Sequence, residues 1–279
     1  MIGLHQRKML PKIIYLLLAL NFGIALFTLA GSWALFRGVS GIPNWNYSAA
    51  AFWLGISNNV VGILIALLHM GWVQGWRATG LLFALCCLVA GGAELLSTTM
   101  GFPFGKYAYT DQLGPKILGL VPFLIPPSWF MMLYPSIHLA MQLSVPRPLL
   151  AATAAMLLTL WDVAMDPALT VGFSCWIWET EGGFYGMPWQ NWLGWFGVGF
   201  IITLLFQKLH PTWHQTPSPV PLMLWLLQGG LMAGLAWILH RALATVLWLI
   251  GVMVVLMAIG YRQYQEGAAK AWQADRADG

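Results

Sequence analysis

Charge is the scarcest property of this chain. Asp, Glu, Lys and Arg make up 8% of its 279 residues, where a soluble domain carries about a quarter. That scarcity excludes a soluble globular fold, and no polar stretch is long enough to form a separate soluble domain. Cysteine is scarcer still: Cys86 and Cys87 adjoin in one apolar run and Cys175 stands alone, which gives neither a disulfide frame nor metal-ligand spacing. Of the six histidines, His5, His69, His138 and His240 are scattered, and His210 and His214 form a solitary pair around Pro211. The several histidine boxes of membrane di-iron oxygenases are therefore missing, and no metal site is expected. Nor is there a Gly-rich nucleotide fingerprint or a phosphate loop. The net charge of +4, from 13 basic and nine acidic residues, is spread singly between apolar runs, so nucleic acid is not an expected partner.

What is present is hydrophobicity, at 59% of positions. A span needs about 20 predominantly apolar residues, and the sequence offers eight candidates: 12–36, 51–74, 78–100, 117–142, 149–167, 190–208, 220–239 and 242–261. The run from Ile13 to Phe36 has no small-residue cleavage site and reads as a retained first span. Only His240 and Arg241 separate the last two candidates, so seven spans is the alternative count. The expectation is an all-α, polytopic transmembrane helical bundle: one domain over residues 1–265, then a short polar cytoplasmic tail at 266–279. With the N-terminus inside, nine basic residues (Arg7, Lys8, Lys12, Arg77, Arg147, Lys208, Arg262, Lys270, Arg276) face the cytoplasm and four (Arg37, Lys106, Lys116, Arg241) face outward. By the positive-inside rule this favours eight spans with both termini cytoplasmic.

Two outer segments, "GFPFGKYAYTDQLGPK" (Gly101 to Lys116) and "WETEGGFYGMPWQNWLGW" (Trp178 to Trp195), mix Gly and Pro with aromatics. Such loops are expected to pack on the mouth of the bundle rather than trail in water. Three acids share a depth near them. At a rise of about 1.5 Å per residue, Asp162 lies about 20 Å, Asp166 about 26 Å and Glu94 about 24 Å from the inner boundary. Asp162 and Asp166 are four residues apart and project from one helical face, and Pro167 is expected to end or kink that helix. Glu179 and Glu181 lie beyond it, either as solvated loop acids or as part of the same site. Carboxyls at such depth are costly and usually mark function. Two of them held close in a low-dielectric pocket do not readily ionise together, so one is available as a proton donor and the other as an acceptor. Trp161, Trp176, Trp178, Tyr185 and Trp195 lie near enough in sequence to steady a cation through their ring faces. The Asp-x-x-x-Asp spacing also fits polyprenyl transferases, but their second acidic motif and basic diphosphate clamps are missing.

Three stretches together resemble a known family: Gly101 to Pro135, "WDVAMDP" (Trp161 to Pro167) and "WIWETEGGFYGMPWQNWLGWF" (Trp176 to Phe196). They are similar to the integral-membrane carotenoid 1,2-hydratases, the carotenoid biosynthesis proteins that include gamma-carotene 1',2'-hydratases and bisanhydrobacterioruberin hydratases. The resemblance implies a carotenoid substrate taken from lipid and a reaction without metal, redox group or other cofactor. Protonation at C2 of a psi end group leaves a tertiary cation at C1, and water then adds there. It further implies that Asp162 or Asp166 donates the proton and that Glu94 or Glu179 handles water, with Phe104, Tyr107, Trp178, Tyr185, Asn191 and Trp195 shaping the substrate site. An acid-initiated cyclase or isomerase, or a proton-coupled transporter, would use the same acids and is the alternative.

Overall fold

The computed structural model describes residues 4–38, 47–143, 145–213 and 218–277. The elements are α1 (Leu4–Phe36), α2 (Tyr47–Val73), α3 (Trp76–Leu85), a π-helical turn (Cys86–Ala90) and α4 (Gly91–Met100), then β1 (Tyr107–Tyr109), a 3₁₀ turn (Asp111–Leu113), β2 (Lys116–Ile117) and β3 (Val121–Pro122). They continue with α5 (Ile125–Gln142), α6 (Arg147–Phe173), β4 (Trp176–Trp178), α7 (Trp189–Leu209), α8 (Val220–Ile238) and α9 (Ala242–Ala277). The molecule is an all-α bundle. Among the described residues seven helical stretches are long and apolar enough to cross a membrane, and α5 is an eighth rod.

The sequence places these rods well and two of their ends badly. The fourth begins at Ile125 rather than at 117, because β2 and β3 form an antiparallel hairpin over the intervening residues. Pro126 and Pro127 then open α5, where a missing N–H costs nothing. The fifth does not end at Pro167. It continues to Phe173 and closes on Ser174 in the left-handed region, with the Cys175 N–H reaching back to the Leu169 carbonyl. Pro167 removes one backbone donor, but the residues around it, Ala164 to Ala168, are buried and the remaining bonds carry the helix through. Asp162 and Asp166 therefore sit inside the rod and not at its end. The polar segment from 266 continues α9, which is helical as far as Ala277.

Helix α5 is the central pillar: all of its residues from Ser128 to Ala140 are buried. The outer rods α1 and α9 instead expose rows of large apolar side chains, such as Leu16, Leu20 and Phe27 on one and Leu249, Met253 and Met257 on the other. Close approach between rods depends on small residues, as in other membrane bundles. Trp248 of α9 lies so close on Gly229 of α8 that no Cβ would fit there.

Packing pairs fix the direction of each rod. Asn21 of α1 meets Gln228 of α8, and Leu29 lies against Gly234 further along both, so α1 and α8 are parallel. Trp225 donates to the Leu157 carbonyl while Leu239 covers Gly172, so α6 runs with them. Helix α9 runs the opposite way: Thr245 bonds the Ala233 carbonyl, and the Arg262 guanidinium reaches the carbonyls of Met141 and Gln142 at the end of α5. The start of α1 and the end of α9 thus share one end of the bundle, and the segments after α4 and α6 share the other.

Combined with the basic asymmetry of nine against four, this arrangement predicts that the capped end faces away from the cytoplasm. Cysteines introduced at the exposed positions Ala108 and Gln112 are expected to react with a membrane-impermeant thiol reagent only from the outer side, and one at Tyr264 only from the inner side. The reverse pattern in intact vesicles would invert the orientation.

Candidate active site

Both predicted loops fold down on the bundle as a cap. β1 pairs antiparallel with β4, with Tyr107 opposite Trp178 and Tyr109 opposite Trp176. Side chains alternate across a strand, so "YAY" and "WIW" turn their four aromatics toward the bundle and leave Ala108 and Ile177 exposed. The same alternation sends Glu179 outward, where it pairs with Lys106 at 3.0 Å on an edge where both side chains are 48% exposed. Lys116 braces the cap from above, donating to the Tyr109 carbonyl at 2.9 Å and to Asp111 at 2.8 Å. This ammonium holds the exposed Asp111 carboxyl below the usual carboxylate range.

Beneath the cap Glu94 is buried at the top of its rod. The π-helical turn at Cys86–Ala90 precedes it, an irregularity that is frequent at functional sites and rotates the facing of the helix beyond it. Three donors converge on the Glu94 carboxylate. The hydroxyls of Tyr107 and Tyr109 both donate to Oε2, the latter at 2.9 Å, and the Trp129 indole N–H donates to Oε1 at 3.1 Å. Burial first, and then the charge of Glu94, holds both phenols well above their usual range. They stay protonated and serve as donors.

The two aspartates lie opposite, buried on α6. Asn191, near the start of α7, donates through one amide nitrogen to Asp162 Oδ2 at 2.8 Å and to Asp166 Oδ2 at 3.3 Å. The Trp178 indole N–H donates to Asp166 Oδ1 at 3.2 Å. Asp162 Oδ1, by contrast, is buried without any hydrogen-bond partner. An orphaned carboxyl oxygen is costly, and this one belongs to a residue lining a cavity of about 70 Å³ shared with Glu94, Asp166 and Asn191. Aromatic rings build the remaining wall. Trp129 and Trp195 stack in parallel, with centroids 4.0 Å apart, Trp161 meets Trp195 edge-on at 5.8 Å, and Phe104 leans on the pair.

The structure therefore brings Glu94, Phe104, Tyr107, Asp162, Asp166, Trp178, Asn191 and Trp195 around one cavity. Two candidates lie apart from it. Glu179 is engaged in the edge ion pair with Lys106. Tyr185 turns toward the connection between α8 and α9, its hydroxyl accepting from the Leu243 N–H at 3.2 Å and its ring facing the Arg241 guanidinium at 5.2 Å. Two of the residues that bond Glu94 carry no assignment from the sequence: Tyr109, which the alternation in "YAY" could have supplied, and Trp129, which nothing distinguishes among 17 tryptophans. Among the described residues no group of three or more His, Cys, Asp or Glu side chains is placed to hold a metal ion. His214, of the solitary histidine pair, lies outside the described residues.

The family model described as "Carotenoid biosynthesis protein" matches residues 54–259. Bisanhydrobacterioruberin hydratase of Haloarcula japonica is 36% identical over 137 residues, which is 47% of this chain and 45% of that protein. The aligned part thus spans less than half the length of this relative. No solved structure matches the chain.

The convergence on Glu94 generates a stability prediction. Glu94→Leu would leave three buried donors without an acceptor and is expected to cost about 3 kcal/mol or more, whereas Glu94→Gln keeps one acceptor oxygen and should lose less. Thermal unfolding of the purified variants in detergent reads the difference. A leucine variant as stable as the wild type would mean that packing alone holds the cap.

Proposed function

The chain belongs to the carotenoid biosynthesis protein family, and from that premise we propose that it adds water across the 1,2 double bond of a carotenoid psi end group. The observation that carries this reading is the orphaned Asp162 Oδ1. A neutral Asp162 places its proton on the one carboxyl oxygen that no donor reaches, on a residue that lines the cavity. Transfer of that proton to C2 uses the electron pair of the double bond to form the new C–H bond and leaves a tertiary cation at C1. The faces of Trp129, Trp161 and Trp195 are the stabilising surface for that cation. A water molecule then bonds to C1 and loses a proton to Asp166, and exchange between the neighbouring carboxyls restores Asp162. The net change is one alkene and one water giving one tertiary alcohol, with no electron gained or lost. Asn191 is the positioning residue, because its single amide holds both aspartates in one arrangement. Glu94, occupied by three donors, fixes the cap, and its oxygens form an acceptor pole on the same cavity.

The reading also draws on the name of the relative, a hydratase. Which carotenoid is used, and whether one end or both are hydrated, is set by the rest of the binding path. In membranes carrying the protein, supplied with a carotenoid bearing a psi end group and kept free of oxygen and added reductant, the tertiary alcohol is expected to form. Its oxygen should come from ¹⁸O-labelled water, and one deuterium should appear at C2 in deuterated water. Asp162→Asn and Asp166→Asn are each expected to lower the rate by about a hundredfold or more while leaving insertion intact. Label arriving from molecular oxygen would overturn the hydration chemistry, and a ring-closed hydrocarbon would point to cyclisation.

A further inference from the structure

A second cavity, of about 100 Å³, adjoins the first and has no role in the hydration chemistry. The two share five wall residues, Asn59, Leu113, Ile125, Leu169 and Met232, which form a neck between them. Beyond the neck the wall is mostly hydrocarbon, supplied by Ala51, Phe52, Leu54, Phe173 and Leu235 with Gly55, and its polar members are Thr28, Asn58, Gln112 and Cys175.

The polar side chains in this region are turned onto one another. Asn21 donates to Asn58 at 3.1 Å, Asn58 to Gln228 at 2.8 Å and Gln228 back to Asn21 at 2.9 Å, closing a ring of three amides across α1, α2 and α8. The Thr28 hydroxyl bonds the Ile24 carbonyl within its own helix. Asn59 is turned onto the Gly55 carbonyl of its own helix at 3.0 Å, and Gln112 is exposed, so the second cavity is lined mainly by hydrocarbon and holds no acid, whereas the first carries three.

We infer that this second cavity is the binding channel for the polyene chain of the substrate, holding the hydrocarbon next to the end group while that end sits beside Asp162. The inference rests on the hydration reading. The reaction cavity, at about 70 Å³, has room for an end group but not for the long chain behind it. That chain must leave through an apolar opening, and the neck leads into one. Gly55 on α2 both lines this cavity and is exposed, with nothing within 4 Å of the point a Cβ would occupy, which makes it the point where the cavity meets the bilayer side of the bundle and where a side chain could be added without displacing a wall. The occupant is therefore a rod-like apolar chain entering from the bilayer, and selection between carotenoids falls to α2, the 3₁₀ turn and α8 rather than to the acids.

Chemical plugging of the folded protein tests this. In a chain with Cys87→Ser, the variant Gly55→Cys is purified and its hydration rate measured. It is then modified with a bulky, reducible thiosulfonate and measured again, and Gly23→Cys serves as control. Gly23 is likewise exposed with open space at its Cβ, on α1 away from the channel. Modification at position 55 is expected to lower carotenoid turnover by about tenfold or more, reductant should restore it, and modification at position 23 should leave it unchanged. Full modification at position 55, read by mass, with turnover unaltered would overturn the channel. A Cys87→Ser parent with Gly55 in place that forms no alcohol would instead overturn the hydration reading.

Discussion

One carboxylate, that of Glu94, joins the capping strands to the helical bundle. It accepts from two tyrosines of the cap and from a tryptophan of the central pillar, so three separate segments converge on two oxygens. In water such an arrangement would add modest stability. In an apolar surround neither these donors nor the carboxyl they serve has bulk water to turn to. The same bonds place the Trp178 ring over the aspartates, because Tyr107 and Trp178 are paired across the strands with ring centroids 4.9 Å apart. The cap, the acids and the aromatic wall are consequently one assembly.

Polar groups inside the bundle divide into two kinds. The amide ring of Asn21, Asn58 and Gln228 is closed: each side chain donates to one neighbour and accepts from another. It fixes the register of three rods and leaves an apolar surface toward the second cavity. The aspartate pair is open, since Asn191 serves one oxygen of each acid, Trp178 serves one more, and Asp162 Oδ1 receives nothing. Several buried nitrogens also lack a partner, among them both of His138 and that of Trp161, but Asp162 Oδ1 is the carboxyl oxygen in that set and belongs to the cavity wall.

The rods were legible in the sequence because membrane spans are written in composition over twenty residues, a signal that local exceptions do not erase. The acids were legible for the complementary reason: Asp162 and Asp166 stand out against an apolar run, and four-residue spacing puts them on one face. Local punctuation was misleading. Pro167 reads as a helix end, yet the packing around α6 carries the helix to Phe173, and the apolar stretch 117–124 reads as helix although Leu118 and Gly119, both at positive φ, turn it back as a hairpin. Glu179 and Glu94 looked equivalent as acids near the outer end. The difference between them is strand parity: Trp178 faces in, so its neighbour faces out. Trp129 was invisible because one indole N–H among many carries no local mark of its distant acceptor.

The π-helical turn at Cys86–Ala90 makes the facing of Glu94 a matter of counting. Each residue of a regular helix turns the chain by about 100°, and a π turn accommodates one more residue than the helix around it would hold. Loss of any single residue in this segment would restore a regular helix and swing Glu94 away from its three donors, while leaving the length and hydrophobicity of the span nearly unchanged. Two chains of equal hydropathy, one residue apart here, would therefore insert alike and differ in whether the cap can close, so the segment tolerates exchange of one apolar residue for another but not a change in their number.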